Sequence, residues 1–111
     1  MTSFRRGDVV VVDLGIAAKV RPAVVVSITN PDSQRTGMAV VVPMTTEIRK
    51  GECEISFSKP PWLKQTCVVN LLGIAGVDRS RIERVIGTFP IKPMEEIDRG
   101  LARLLGLQGS P

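Results

Sequence analysis

A series of short apolar runs separated by turn-forming residues sets the pattern of this chain. Val9 to Val12 follows Gly7-Asp8 and stops near Asp13-Leu14-Gly15. Arg21-Pro22 opens Ala23 to Ile28, and a loop containing Asn30-Pro31-Asp32-Ser33 and Thr36-Gly37 leads to Met38 to Met44. Glu52 to Phe57 comes after Lys50-Gly51, Thr66 to Leu72 after Pro60-Pro61, and Val85 to Phe89 completes the strand-rich part. Runs of this length between Gly, Pro, Asn and Asp predict strands. They do not alternate polar with apolar: Val9 and Val11 fall on one face and Val10 and Val12 on the other, so both faces are buried. The connections from Leu14 to Arg21 and from Ile28 to Met38 are too short for the crossover helix that parallel neighbours need. The pattern therefore predicts a mainly β, α+β fold: a small antiparallel barrel covered by helices or by a second subunit.

Two helices are predicted. Ser80-Arg81-Ile82-Glu83 reads as a capping box that opens a short helical turn. The other is longer, with Pro93 at its start, Glu95 and Glu96 in its first turn and Gly106 at its exit. Met94, Ile97, Leu101, Leu104 and Leu105 recur along it at helical spacing as one apolar stripe. Gly100 on this helix costs roughly 1 kcal/mol relative to Ala, which a close neighbour would explain.

Composition narrows the function. The chain has 111 residues, enough for a single domain over residues 1–111 with one core. No apolar stretch is long enough to span a bilayer and no signal peptide is visible, so a cytoplasmic protein is expected. The two cysteines, Cys53 and Cys67, sit in apolar runs and read as buried free thiols. There is no histidine, no CxxC and no clear carboxylate cluster, so neither a metal nor another cofactor is expected. The net charge of +4 makes a polyanionic partner plausible. Aromatic side chains for stacking are few. Phe4, Phe57 and Phe89 read mainly as core, and Trp62 after Pro60-Pro61 is the one to test for contact with a partner.

Without histidine, chemistry falls to arginine, lysine, hydroxyl and carboxylate groups. Arg21 precedes Pro22 at the head of an apolar run, where the proline biases it to an extended backbone. A planar guanidinium there suits a phosphate, although position alone favours a surface arginine with a solvated head. Thr45 and Thr46 follow the Val40 to Met44 run, placing hydroxyls at a strand end that can cap a turn or donate to a phosphate oxygen. Ser27 is polar within an apolar run and reads as a structural hydrogen bonder or a pocket-lining group.

Taken together these segments resemble the MazF/PemK toxins. Gly7-Asp8-Val9-Val10-Val11-Val12-Asp13-Leu14 is similar to their opening strand and Arg21-Pro22-Ala23-Val24-Val25-Val26-Ser27 to their second. Thr36-Gly37-Met38 and Val41-Val42-Pro43-Met44-Thr45-Thr46 are similar to the next strand and its end, followed by Glu54-Ile55. Val77-Asp78-Arg79-Ser80-Arg81-Ile82 matches their short helix and Met94 to Leu107 their C-terminal one. The resemblance implies an SH3-like barrel, a homodimer and sequence-selective, metal-independent cleavage of single-stranded RNA that leaves a 2′,3′-cyclic phosphate and a 5′-OH. It implies a small acidic antitoxin that occupies the RNA site. It carries the catalytic roles to Arg21 and Thr45, with Ser27, Thr46, Lys19 and Arg79 as RNA-binding candidates. Three departures stand out. The loop Gly15 to Val20 is shorter than in most relatives, Ile16, Ala17 and Ala18 occupy the region where some carry a glutamate, and Gly73-Ile74-Ala75 stands where many carry Gln-x-Arg. The alternatives are a gyrase-targeting toxin of the related CcdB type and a catalytically silent barrel used only for binding.

Overall fold

The structure, a computed structural model, describes residues 3–15 and 20–107. Three valine-rich strands form its centre: β1 (Asp8–Asp13), β2 (Val20–Val25) and β3 (Met38–Thr45). All pairings are antiparallel. In β1 and β2, Val9 lies opposite Val24 and Val12 opposite Arg21; in β2 and β3, Ala23 lies opposite Pro43. The free edge of β1 takes β7 (Ile82–Thr88) through a ladder with two register shifts. The outer edge of β3 is shared. Met38 to Val41 pair with β6 (Ala75–Asp78), and Met44 and Thr45 pair with β5 (Val68–Asn70), which in turn carries the two-residue β4 (Glu54–Ile55). Pro43, which has no N–H to donate, stands where β3 changes neighbours, and the 3-10 turn Leu71–Gly73 bridges β5 to β6 beside it.

Both faces of the central strands are buried, as the unalternating valines require. Val9, Val24 and Val42 join Met44, Val69, Leu71, Phe89, Ile97 and Leu101 in one core. Val10, Val12, Ala23, Val25, Ala39 and Val41 join Val77 and Ile82 in the other, so β7, β1, β2, β3 and β6 wrap one interior. The expected barrel is accordingly a curled sheet that does not close, because β6 and β7 are joined through a 3-10 turn and share no ladder. The N-terminal segment ties strand ends together. The buried Asp8 carboxylate accepts from the Arg5 N–H (3.0 Å) and the Thr88 hydroxyl (2.9 Å), and Gly7, at φ 94°, donates to the Val25 carbonyl.

Helix α2 (Ile91–Leu105) lies on the first core through Ile97, Gly100 and Leu101, with Gly106 closing it in the left-handed conformation that glycine adopts without strain. Gly100 has the close neighbour its position predicted: a methyl there would come within 2.5 Å of the buried Leu71 side chain. Arg6 forms an ion pair with Asp98 of this helix and reaches the Val26 carbonyl. Among the described residues no helix is long and apolar enough to cross a membrane.

Several expected boundaries move. The loop after Ile28 contains a one-and-a-half-turn helix, α1 (Pro31–Thr36), held by an Asn30/Ser33 capping box and ended by Gly37. Near residue 80 the helical segment is only the 3-10 turn Arg79–Arg81, capped by Asp78, and Ile82 and Glu83 already belong to β7. Helix α2 begins at Ile91 with Pro90 as its cap, which puts Glu95 and Glu96 beyond its first turn and leaves Leu105 exposed. Strand β6 was not anticipated, since Gly76 and Ala75 carry no strand signature. Cys67 is buried and Cys53 half-buried, both as free thiols; burial pushes the Cys67 thiol pKa up.

Gly87 on β7 lies directly under the Trp62 indole, and any Cβ at that position would overlap the ring. Gly87→Ala is therefore expected to displace the indole and destabilise the protein by about 1–3 kcal/mol, as overpacking does, read as a lower urea midpoint with an unchanged slope.

Candidate functional site

The register between β2 and β3 builds the site. Ala23 opposes Pro43, Val24 opposes Val42 and Val25 opposes Val41. Arg21 and Thr45 each lie two residues beyond the last of these pairs, Ala23 and Pro43, so the alternation of side chains carries both toward the face of that pair. Arg21 is half-buried and has no side-chain hydrogen bond or ion pair among the described residues. The Thr45 hydroxyl accepts from the Glu47 N–H at 3.1 Å, which leaves its own proton free to donate.

Both side chains line an open cleft of about 740 Å³. Its far wall is β6 and the 3-10 turn after it, and it adds a second guanidinium, Arg81, whose Nη1 lies 3.5 Å from the Asp13 carbonyl. Thr46 and Asn70 contribute polar groups at the same rim. Two carboxylates also line the cleft, Glu47 and Asp78. Glu47 pairs with Arg49 at 3.1 Å. Asp78 accepts the Ser80 N–H at 2.9 Å as the cap of the 3-10 turn; this bond, then the Ser80 hydroxyl and the Arg81 charge, hold its pKa below the ordinary aspartate range. The floor carries almost no side chain. Gly73 and Ala75 face the cleft, whereas Ile74 between them packs on the first core. The two ends of the segment that replaces Gln-x-Arg are thus the ones that line it. Gly73 is enforced locally, because a Cβ there would meet the Pro43 ring and, at 3.5 Å, the Asn70 amide.

The remaining sequence candidates separate. Thr46 lies in the cleft. Ser27 and Arg79 do not; they line a smaller cavity of about 190 Å³ with Phe4 and Met38. The Ser27 hydroxyl accepts from the Val40 N–H at 2.9 Å, and the Arg79 guanidinium sits 5.2 Å from the Phe4 ring centroid with a buried, unpartnered Nε. Lys19 falls outside the described residues. Arg81 and Asn70 were not foreseen as site residues. Arg79 and Arg81 stand two apart on a 3-10 turn and face different cavities, a distinction that spacing does not encode.

The family profile described as "PemK-like, MazF-like toxin of type II toxin-antitoxin system" matches residues 5–105. The chain belongs to this toxin family. Solved structures agree with that membership. This MazF-like toxin is 28% identical to an endoribonuclease from a Mycobacterial species determined with its cognate antitoxin, covering 95% of this chain and 97% of that one with a TM-score of 0.79. It is 26% identical to the MazF of a MazE–MazF structure from Deinococcus radiodurans, with 95% and 97% covered and a TM-score of 0.77. A further endoribonuclease from a Mycobacterial species is 27% identical over 97% of this chain and 96% of that one, at a TM-score of 0.76. Among curated proteins, none matches.

Because the Asp78 pKa is depressed on folding, the capping bond stabilises the fold above the ordinary aspartate range, and that contribution disappears as pH falls through the folded value. Carboxyl-detected NMR titration of this toxin is expected to show Asp78 protonating below the ordinary aspartate range. Asp78→Ala should remove the acid-side loss of order in the Arg79–Arg81 turn.

Proposed function

We propose that this toxin is an endoribonuclease that cuts single-stranded RNA sequence-selectively and without a metal at the Arg21–Thr45 cleft. The observation that carries the reading is that these two side chains line one cleft from neighbouring strands, one a guanidinium unpaired among the described residues and the other a hydroxyl with its proton available. The ribose 2′-OH attacks the adjacent phosphorus, a 2′-O–P bond forms, and the P–O5′ bond breaks to leave a 2′,3′-cyclic phosphate and a 5′-OH. Arg21 neutralises charge on the phosphorane and Thr45 donates to a non-bridging oxygen. A guanidinium carries only donors and no acceptor, so Arg21 serves the leaving 5′-oxygen as a hydrogen-bond donor. Asp78, held ionised by its cap, is a poor proton acceptor. The 2′-OH proton passes instead to a phosphate oxygen of the substrate and from there to the leaving 5′-oxygen as the P–O5′ bond breaks. Arg81 holds a neighbouring phosphate across the cleft.

In the cell the toxin acts as a cytoplasmic homodimer, and a small acidic antitoxin silences it by occupying the same cleft. Relatives solved with a cognate antitoxin or with MazE support the pairing. The small residues Gly73 and Ala75 on its floor give base selection to other groups than the polar pair carried by many members of the family.

Purified toxin is expected to cleave a mixed-sequence oligoribonucleotide in EDTA, with 2′,3′-cyclic ends identified by mass spectrometry. Arg21→Ala should lower kcat by about 10²–10³-fold, the usual loss when a charge-stabilising donor is removed. Full activity in the variant, or a requirement for added metal, counts against the reading. Salt supplies an independent check. With two phosphates held by Arg21 and Arg81, log Kd should change with log salt at a slope near 1.4, falling by about 0.7 in Arg81→Ala, measured by fluorescence anisotropy with a non-cleavable strand.

A further inference from the structure

On the other side of Arg21 from the cleft lies a second cavity of about 420 Å³. Arg21, Met44 and Thr46 line both, so the two are continuous across the guanidinium. We infer that this second cavity is a nucleobase subsite, in which the base next to the phosphate held by Arg21 stacks on the Trp62 indole. The inference deepens the ribonuclease reading and rests on it.

Three observations favour a nucleotide over other occupants. The first is charge. Among the described residues Arg21, Lys64 and Arg84 line the cavity and no carboxylate does, whereas the first cleft holds two. Lys64 has no ion pair among the described residues, and Arg84 lies 3.8 Å from the Glu83 carboxylate. A polyanionic strand leaving Arg21 in this direction runs along a wall that carries more positive charge than the cleft does.

The second is the wall. Trp62, Met44 and Ile86 give the apolar, polarizable surface on which any base stacks. The indole is held in place rather than loose: Gly87 leaves room for it against β7, and it sits 6.1 Å from the Phe89 ring, centroid to centroid. Its loop is pinned by the Leu63 N–H donating to the Pro60 carbonyl (3.1 Å) and by the Lys59 ammonium donating to the Leu63 carbonyl (2.9 Å). A wall fixed before the ligand arrives costs little ordering on binding.

The third is polarity at the rim. Gln65, which makes no hydrogen bond among the described residues, offers a donor and an acceptor to a base edge. This is the readout that the small residues on the floor of the first cleft lack.

The chain has one tryptophan and no tyrosine, so its emission reports this cavity alone. The full-length toxin is titrated with a single-stranded 2′-O-methyl oligoribonucleotide pool of mixed sequence, which cannot be cut because the nucleophile is blocked. The emission of Trp62 is expected to be quenched as anisotropy reports binding. An abasic strand of equal length should bind through its phosphates and leave the emission unmoved. Trp62→Leu should weaken the base-bearing strand by about tenfold, with Trp62→Phe recovering most of it, and should not affect the abasic strand. Lys64→Ala, at an exposed position outside the core, should weaken both strands without altering the melting temperature.

Strand binding and cleavage with flat Trp62 emission, or with full affinity in a folded Trp62→Leu, overturn the subsite and leave the ribonuclease reading standing. Emission that changes with protein concentration in the absence of RNA assigns the cavity to a second copy of the chain and overturns it as well. Failure to bind or cut any RNA removes both proposals together.

Discussion

The pairing register of β2 with β3 is the constraint on which the rest of this structure depends. Side chains alternate faces along a strand, so a slip of one residue would exchange the two faces. Here that slip would turn one strand over relative to the other, sending Val24 toward the interior of Ala39 and Val41 while Val42 stayed in the first core, and would put Arg21 and Thr45 on opposite faces. The burial that stabilises the sheet, roughly 1.5–3 kcal/mol for each fully buried valine, therefore also fixes the geometry of the guanidinium and the hydroxyl. Stability and site share one set of contacts, and no separate device is needed to bring together two groups distant along the chain.

Much of this was legible in the sequence because the signals are local. Val9 to Val12 announce a strand buried on both sides, and the two cores each take alternate members of it. The helical stripe from Met94 to Leu104 and the glycine at 106 mark α2, and Gly100 marks its contact with Leu71. What escaped notice depends on tertiary pairing or on competing local chemistry. Ala75 and Gly76 have no strand preference and are extended only because β3 offers them a partner. Asn30 and Ser33 cap each other reciprocally and turn an apparent loop into α1. Asp78 outcompetes Ser80 as a cap because its carboxylate is the stronger acceptor, which shortens the expected helix to one 3-10 turn.

The site follows the same division. Arg21 beside Pro22 and Thr45 at a strand end were visible as candidates, but they share a cleft only through long-range register. Arg81 and Asn70 were hidden because nothing in their own neighbourhoods distinguishes a cleft-facing side chain from a solvated one. Ser27 and Arg79 were drawn in by proximity along the chain to matching segments, whereas the fold gives them a cavity with Phe4. The small residues at 73 and 75 leave the Arg21–Thr45 cleft wide on one side.

Both ends of the main ladder are poor templates for another chain. Strand β4 contributes only two residues, and β7 meets β1 through two irregularities and presents Glu83 and Arg84 outward. A polypeptide this rich in valine has the β-propensity of fibril-forming segments, and its protection lies in these blunt, charged margins. Such a protein can accumulate in its folded form without edge-to-edge polymerisation. Lengthening β4 or neutralising the outward charges of β7 would take that safeguard away long before it disturbed either core.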